Sequence, residues 1–93
     1  MPCVHRVGDS RYCGAVTEQR GNDDVYAGGQ LIAVYDDPSS HGGGELRPPD
    51  RRVYIHGKIV ACKDDDAEDD EQGHDESETR PSECISTVLI GGS

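Results

Sequence analysis

Cys13-Gly14 and His41-Gly42 lie 28 residues apart, and the chain repeats itself at that same interval. Thiolate and imidazole are ligands for borderline-soft divalent metals, so one loop position presents a metal-capable side chain twice. His74, in Gln72-Gly73-His74, becomes the third counterpart once five extra residues of an acidic stretch are allowed. Cys84 lies ten residues further on, before Ile85-Ser86-Thr87-Val88-Leu89-Ile90. Cys13, His41, His74 and Cys84 are therefore the candidate ligands of a structural ion. A catalytic metal would need three ligands, an open position and a placed acid or base, for instance through a His-x-x-x-His spacing that this chain lacks. Gly42-Gly43-Gly44 runs into Glu45 rather than the Lys-Ser/Thr of a phosphate loop. With no nucleophile elbow or Ser-His-Asp arrangement either, no enzyme is expected.

The elements that must hold these loops follow from the repeat. Val25 to Asp37 aligns with Val53 to Asp65, and Met1 to Asp9 falls over Gly29 to Asp37, so a further copy enters truncated. Val25-Tyr26-Ala27 and Leu31-Ile32-Ala33-Val34 flank Gly28-Gly29; Val53-Tyr54-Ile55 and Ile59-Val60-Ala61-Cys62 flank His56-Gly57. β-formers around a two-residue loop ending in Gly predict hairpins. The expected fold is all-β, a single domain over 1–93 with copies at about 1–22, 23–50 and 51–93, none able to bury its apolar face alone. Repeat position also sorts the other candidates. Cys3 aligns with Leu31 and Ile59, and Cys62 with Val34, which reads as core. His5 aligns with Ala33 and Ala61, a buried strand site. His56 replaces Gly28 and reads as an exposed turn residue.

Composition explains why such a fold needs help. Of 93 residues 32% are hydrophobic, with no Phe and no Trp, so the core is thin and a metal or disulfides would have to supplement it. Net charge is −10, which excludes the basic stripe that nucleic acid requires. Acidic residues crowd the segment 64–78, expected to be a solvated, mobile loop that points away from any partner. A calcium loop is the sharper alternative, but Asp69 stands where an EF-hand needs Gly. Met1 to Ser10 has no apolar signal region. The expectation is a cytosolic chain, or one exported without a signal peptide, whose cysteines are reduced, so that metal binding by Cys13 and Cys84 is favoured over disulfides. A disulfide framework, with three possible pairings, is the alternative.

At these residues the chain resembles the PAAR-repeat proteins, cone-shaped tips on the trimeric spikes of phage tails and type VI secretion systems. The resemblance rests on Arg6-Val7-Gly8-Asp9-Ser10 with Cys13-Gly14, Gly21-Asn22 with Val25 to Ala33, His41-Gly42, and Val53 to Ala61. It continues through Gly73-His74-Asp75 and Cys84 to Gly91-Gly92-Ser93. Asp36-Asp37 and Asp64-Asp65 depart from the family's Gly-Asp, and the acidic run is an insertion. The resemblance implies a small cone of three pseudo-repeated hairpins with a metal-stabilised apex, holding one structural Zn2+ near its vertex through mostly His and one Cys. It implies a membrane-piercing or capping tip, one copy per trimeric spike, in transient contact with a target cell envelope. A virion tail tip is expected, with bacterial cytoplasm followed by type VI export as the alternative. The competing function is a small zinc-binding adaptor with an acidic interaction loop, and apolar strand residues such as Val25, Leu31, Val53 and Ile55 are the expected source of core and contact.

Overall fold

The computed structural model describes residues 3–49 and 53–89, the side chains of Ser77 and of 86–89 excepted. Met1-Pro2 at the head of the first copy and Ile90 with Gly91-Gly92-Ser93 at the end of the last lie outside them. The strands are short. Strand β1 is Cys3–Val4, β2 Tyr26–Ala27, β3 Gln30–Leu31, β4 Leu46–Arg47, β5 Tyr54–Ile55, β6 Lys58–Ile59, β7 Asp66–Ala67 and β8 Ile85–Leu89; the helix α1 is a single turn, Glu76–Thr79. They pair antiparallel as β1 with β8, β2 with β3, β4 with β7 and β5 with β6. The fold is all-β.

Both expected hairpins form, in one register. Tyr26 faces Leu31 and Ala27 faces Gln30; Tyr54 faces Ile59 and Ile55 faces Lys58, each 28 residues on. Their turns carry φ of 58° and 86° at Gly28 and Gly29, and of 52° and 79° at His56 and Gly57. Two successive positive φ values match the right-handed twist of the flanking strands.

The segments beyond the hairpins lock together by contacts that recur at the same interval. Ala33 N–H donates to the His5 carbonyl at 3.0 Å, Ala61 N–H to Ala33 at 2.9 Å, and His5 N–H to Ala61 at 3.0 Å. These three bonds close a ring among residues that are wholly buried. Asp9, Asp37 and Asp65 each accept the backbone N–H three residues earlier, from Arg6 (2.9 Å), Val34 (2.9 Å) and Cys62 (2.6 Å). The residue before each is left-handed: Gly8 at 91°, Asp36 at 76°, Asp64 at 68°. Aspartate tolerates that conformation better than most side chains, so the double-Asp positions keep the turn.

Apolar packing is sparse. Val4, Val34, Ile55 and Val60 cluster with Ile32, Val53 and Ile85 against them, and Ala33, Leu46, Ala61 and Ala67 form a second group. Much of the rest of the interior is polar: Arg11, His5, Asn22, Thr17 and Thr79 are each at most 1% exposed. Val25, placed with the core and contact residues by its sequence, is exposed.

Two expectations are overturned. The acidic stretch is not a detached loop, because Asp66–Ala67 pairs with Leu46–Arg47, Ala67 is buried in the second core and Asp65 caps Cys62. Within it, alternation sends some acids outward and turns others toward backbone amides, which solvate a carboxylate as water would. The cysteines are not all thiols either. Cys3 and Cys84 form a disulfide across 81 residues, because β1 lies beside β8 and brings them together. Cys62 is buried, as its strand position indicates.

Candidate metal centre

Three loops meet to form the site, and two share one turn. Arg11 N–H donates to Ala15 O and Gly14 N–H to Arg11 O, at 2.8 and 3.0 Å; Ser39 N–H donates to Gly43 O and Gly42 N–H to Ser39 O, at the same lengths. Cys13 and His41 sit at the same step of these turns. The third loop closes with Asp70 N–H to His74 O at 3.2 Å. Its glycine, Gly73, has φ 86°, like Gly14 at 89° and Gly42 at 86°. The structural equivalent of Cys13 and His41 is thus Gln72, and His74 stands where Ala15 and Gly43 do. The gap between the second and third loops is two residues shorter than the sequence alignment required.

The loops are drawn together by backbone pairing. Glu71 N–H donates to Gly42 O at 2.9 Å and Gly44 N–H to Asp69 O at 3.0 Å. Gly42, Gly43 and Gly44 all have positive φ, and a Cβ on Gly43 would lie 3.3 Å from the Asp69 carbonyl. Glycine is what lets the His41 loop run against residues 69–71.

Cys13, His41, Asp70 and His74 form a group able to hold a metal ion, each offering one ligand atom, with all four within 4.8 Å of one another. Cys13 Sγ is 3.9 Å from His41 Nδ1 and from Asp70 Oδ2. Asp70 Oδ2 accepts from His41 Nδ1 at 3.1 Å and from His74 Nδ1 at 2.8 Å. Donors on a tetrahedral ion with bonds of about 2.0 to 2.3 Å stand roughly 3.3 to 3.8 Å apart, so small movements would convert these contacts to ligation. Asp70 is aimed by its other oxygen, which accepts N–H from Gln72 at 2.9 Å and His74 at 3.0 Å. Burial works against its charge, but donation by the His74 ring and by the His74, Gln72 and His41 groups outweighs it and holds the carboxyl well below its ordinary range. The rings of His41 and His74 stack with centroids 5.1 Å apart. Asp70 is the enclosed member, its side chain 0% exposed against 31% for His41 and 29% for His74.

Of the residues singled out by sequence, Cys13, His41 and His74 converge. Cys84 does not, because its sulfur is bonded to Cys3, and Asp70 stands with the three instead. Asp70 was missed because it lies in a dense acidic run. The signal that marks it is its place three residues before Gly73, as Arg11 and Ser39 precede Gly14 and Gly42.

Two other histidines are accounted for. His5 donates from Nδ1 to the Glu83 carbonyl at 2.7 Å and accepts at Nε2 from the Thr17 hydroxyl at 2.6 Å. Both nitrogens are engaged and the ring is neutral; burial, outweighing the bond to Glu83, lowers its pKa to about 4. His56 lies in its exposed turn, 2.6 Å from Asp24, whose hydrogen bond and charge raise its pKa. Burial likewise lowers Arg11, to about 10, which leaves the guanidinium charged at neutral pH.

Comparison with family models, curated proteins and solved structures finds no match to this chain.

Proposed function

We propose that the chain is a metal-stabilised spike tip, in which Cys13, His41, Asp70 and His74 hold one structural zinc ion. The observation that carries the reading is the convergence of a thiol, two imidazoles and a carboxylate from three loops in a domain with little apolar core. In such a domain the ion supplies folding free energy that hydrophobic burial does not. One thiolate, two neutral imidazoles and one carboxylate suit zinc in charge and in donor type. The closed ring of His5, Ala33 and Ala61 and the recurring hairpins support a body of near-threefold design, and such a body complements the blunt end of a closed trimer. One chain then seats per trimer, since it presents all three faces itself, and the narrowing end that carries the metal faces the target envelope.

The alternative, a small zinc-binding adaptor with an acidic interaction loop, draws less support, because part of that segment takes part in the sheet pairing and in the metal group. The test has two parts. Elemental analysis of protein purified without added metal should find one zinc per chain, and native mass measurement with a trimeric spike from the same genome should give one chain per trimer. A folded, metal-free chain would remove the zinc assignment, and three chains per trimer would restore the adaptor.

A further inference from the structure

We infer that Arg11 is the positioning residue of the metal group, fastening the loops that carry its ligands at the separation an ion requires. The inference rests on the metal reading above and goes beyond it by assigning a role to a residue that cannot itself be a ligand.

Arg11 is 1% exposed, and among the described residues no carboxylate is in ion-pair contact with its guanidinium. A buried cation left in that state is costly unless its donors are satisfied. Here they are satisfied by carbonyls and a hydroxyl. Nε donates to Thr17 Oγ1 at 2.8 Å, one terminal nitrogen to Gly44 O and to Thr79 O (the latter at 3.3 Å), and the other to Asp37 O at 3.2 Å. The acceptors are distributed over the whole site. Arg11 opens the turn that carries Cys13; Gly44 ends the glycine run behind His41 and pairs with Asp69; Thr79 closes the helical turn that follows His74. One planar donor fork therefore spans all three loops, a geometry that the single ammonium of lysine cannot reproduce.

The equivalent turn positions explain why an arginine is there. Ser39 accepts the His41 N–H through Oγ at 3.1 Å, and Asp70 accepts the Gln72 N–H through Oδ1 at 2.9 Å. Arg11 has no acceptor to offer its own turn, so its side chain is turned inward and organises the other two. Of three equivalent turns, one starts with a simple cap, one with a cap whose second oxygen faces the imidazoles, and one with the fork that gathers the rest.

Cobalt(II) loading of the full chain tests this, because cobalt reports ligand geometry through its d–d bands and thiolate bonding through charge transfer. Arg11→Lys should bind Co(II) about tenfold or more weakly by chelator competition, the scale of lost outer-shell support, with altered d–d intensity once loaded. Thr17→Val, which keeps side-chain shape but takes the hydroxyl from both Arg11 Nε and His5 Nε2, should shift affinity and spectrum in the same direction to a smaller extent; compared with His5→Gln, which alters the His5 contact alone, it decides the matter if Arg11→Lys does not fold. A merely structural Arg11 would lower the melting temperature of these variants and leave the loaded spectrum and the affinity at wild-type values; that result overturns the inference. Absence of Co(II) binding by the folded wild-type chain would overturn the metal reading itself, which is a separate outcome.

Discussion

Asp70 Oδ2 lies 2.8 Å from Nδ1 of His74, while Oδ1 of the same carboxylate accepts the His74 backbone N–H at 3.0 Å. Both ends of one ligand are thus set by another four residues away, and His41 Nδ1, 3.1 Å from Oδ2, completes the arrangement. The backbone amides of Gln72 and His74 fix the direction of the carboxylate through Oδ1, which lowers the ordering cost of ligation through Oδ2.

Asp70→Asn keeps the shape and the amide contacts of Oδ1 but removes the charge. It should weaken zinc binding by well over tenfold in chelator competition, and Cys13→Ser should do likewise. Cys84→Ser should leave zinc affinity unchanged, and equal losses for Cys84→Ser and Asp70→Asn would show that the disulfide and the metal group are not separate.

The Cys3–Cys84 disulfide closes a loop of most of the chain, so by the chain-entropy account its loss should cost about 4.5 kcal/mol. Urea unfolding of Cys3→Ser and of the double variant with Cys84→Ser measures this. Peptide mapping under non-reducing conditions should recover the Cys3–Cys84 pair and alkylate Cys13 in metal-stripped protein.

Stability should fall on acidification through His5. Its pKa is about 6.5 in the unfolded chain and lowered to about 4 in the folded one, so below 6.5 the unfolded state binds a proton that the native state refuses. The contribution is fully retained above pH 6.5, declines between 6.5 and about 4, and amounts to on the order of 3 kcal/mol. Urea midpoints measured across that window should drop for the wild type, and His5→Gln should flatten the slope. His56, exposed and raised rather than lowered, should matter little; His56→Ala is expected to stay within about 0.5 kcal/mol.

Deletion of Asp66 to Glu71 removes β7, the buried Ala67 and Asp70 together, so the fold and zinc binding should be lost. Circular dichroism and zinc content of the deleted chain decide it; a folded, zinc-bearing product would return the segment to the status of a surface loop.

The 28-residue repeat by itself determined the hairpins, their register and the shared position of Cys13 and His41, because these depend on contacts a few residues apart and on glycines whose turns demand positive φ. Burial of His5 and Cys62 and exposure of His56 were legible for the same reason: each stands where another copy holds a residue of plain preference. Asp70, the true step of the third loop and the Cys3–Cys84 bond were decided only in three dimensions. An insertion hides which residues of a loop are equivalent until backbone hydrogen bonds define the turn, and a carboxylate among many looks solvated until two imidazoles are found beside it. The disulfide depends on where the first strand goes. Val4 bridges Cys62 and β1 pairs with β8, so the chain's start is carried to its other end, and a bond across 81 residues becomes a local contact.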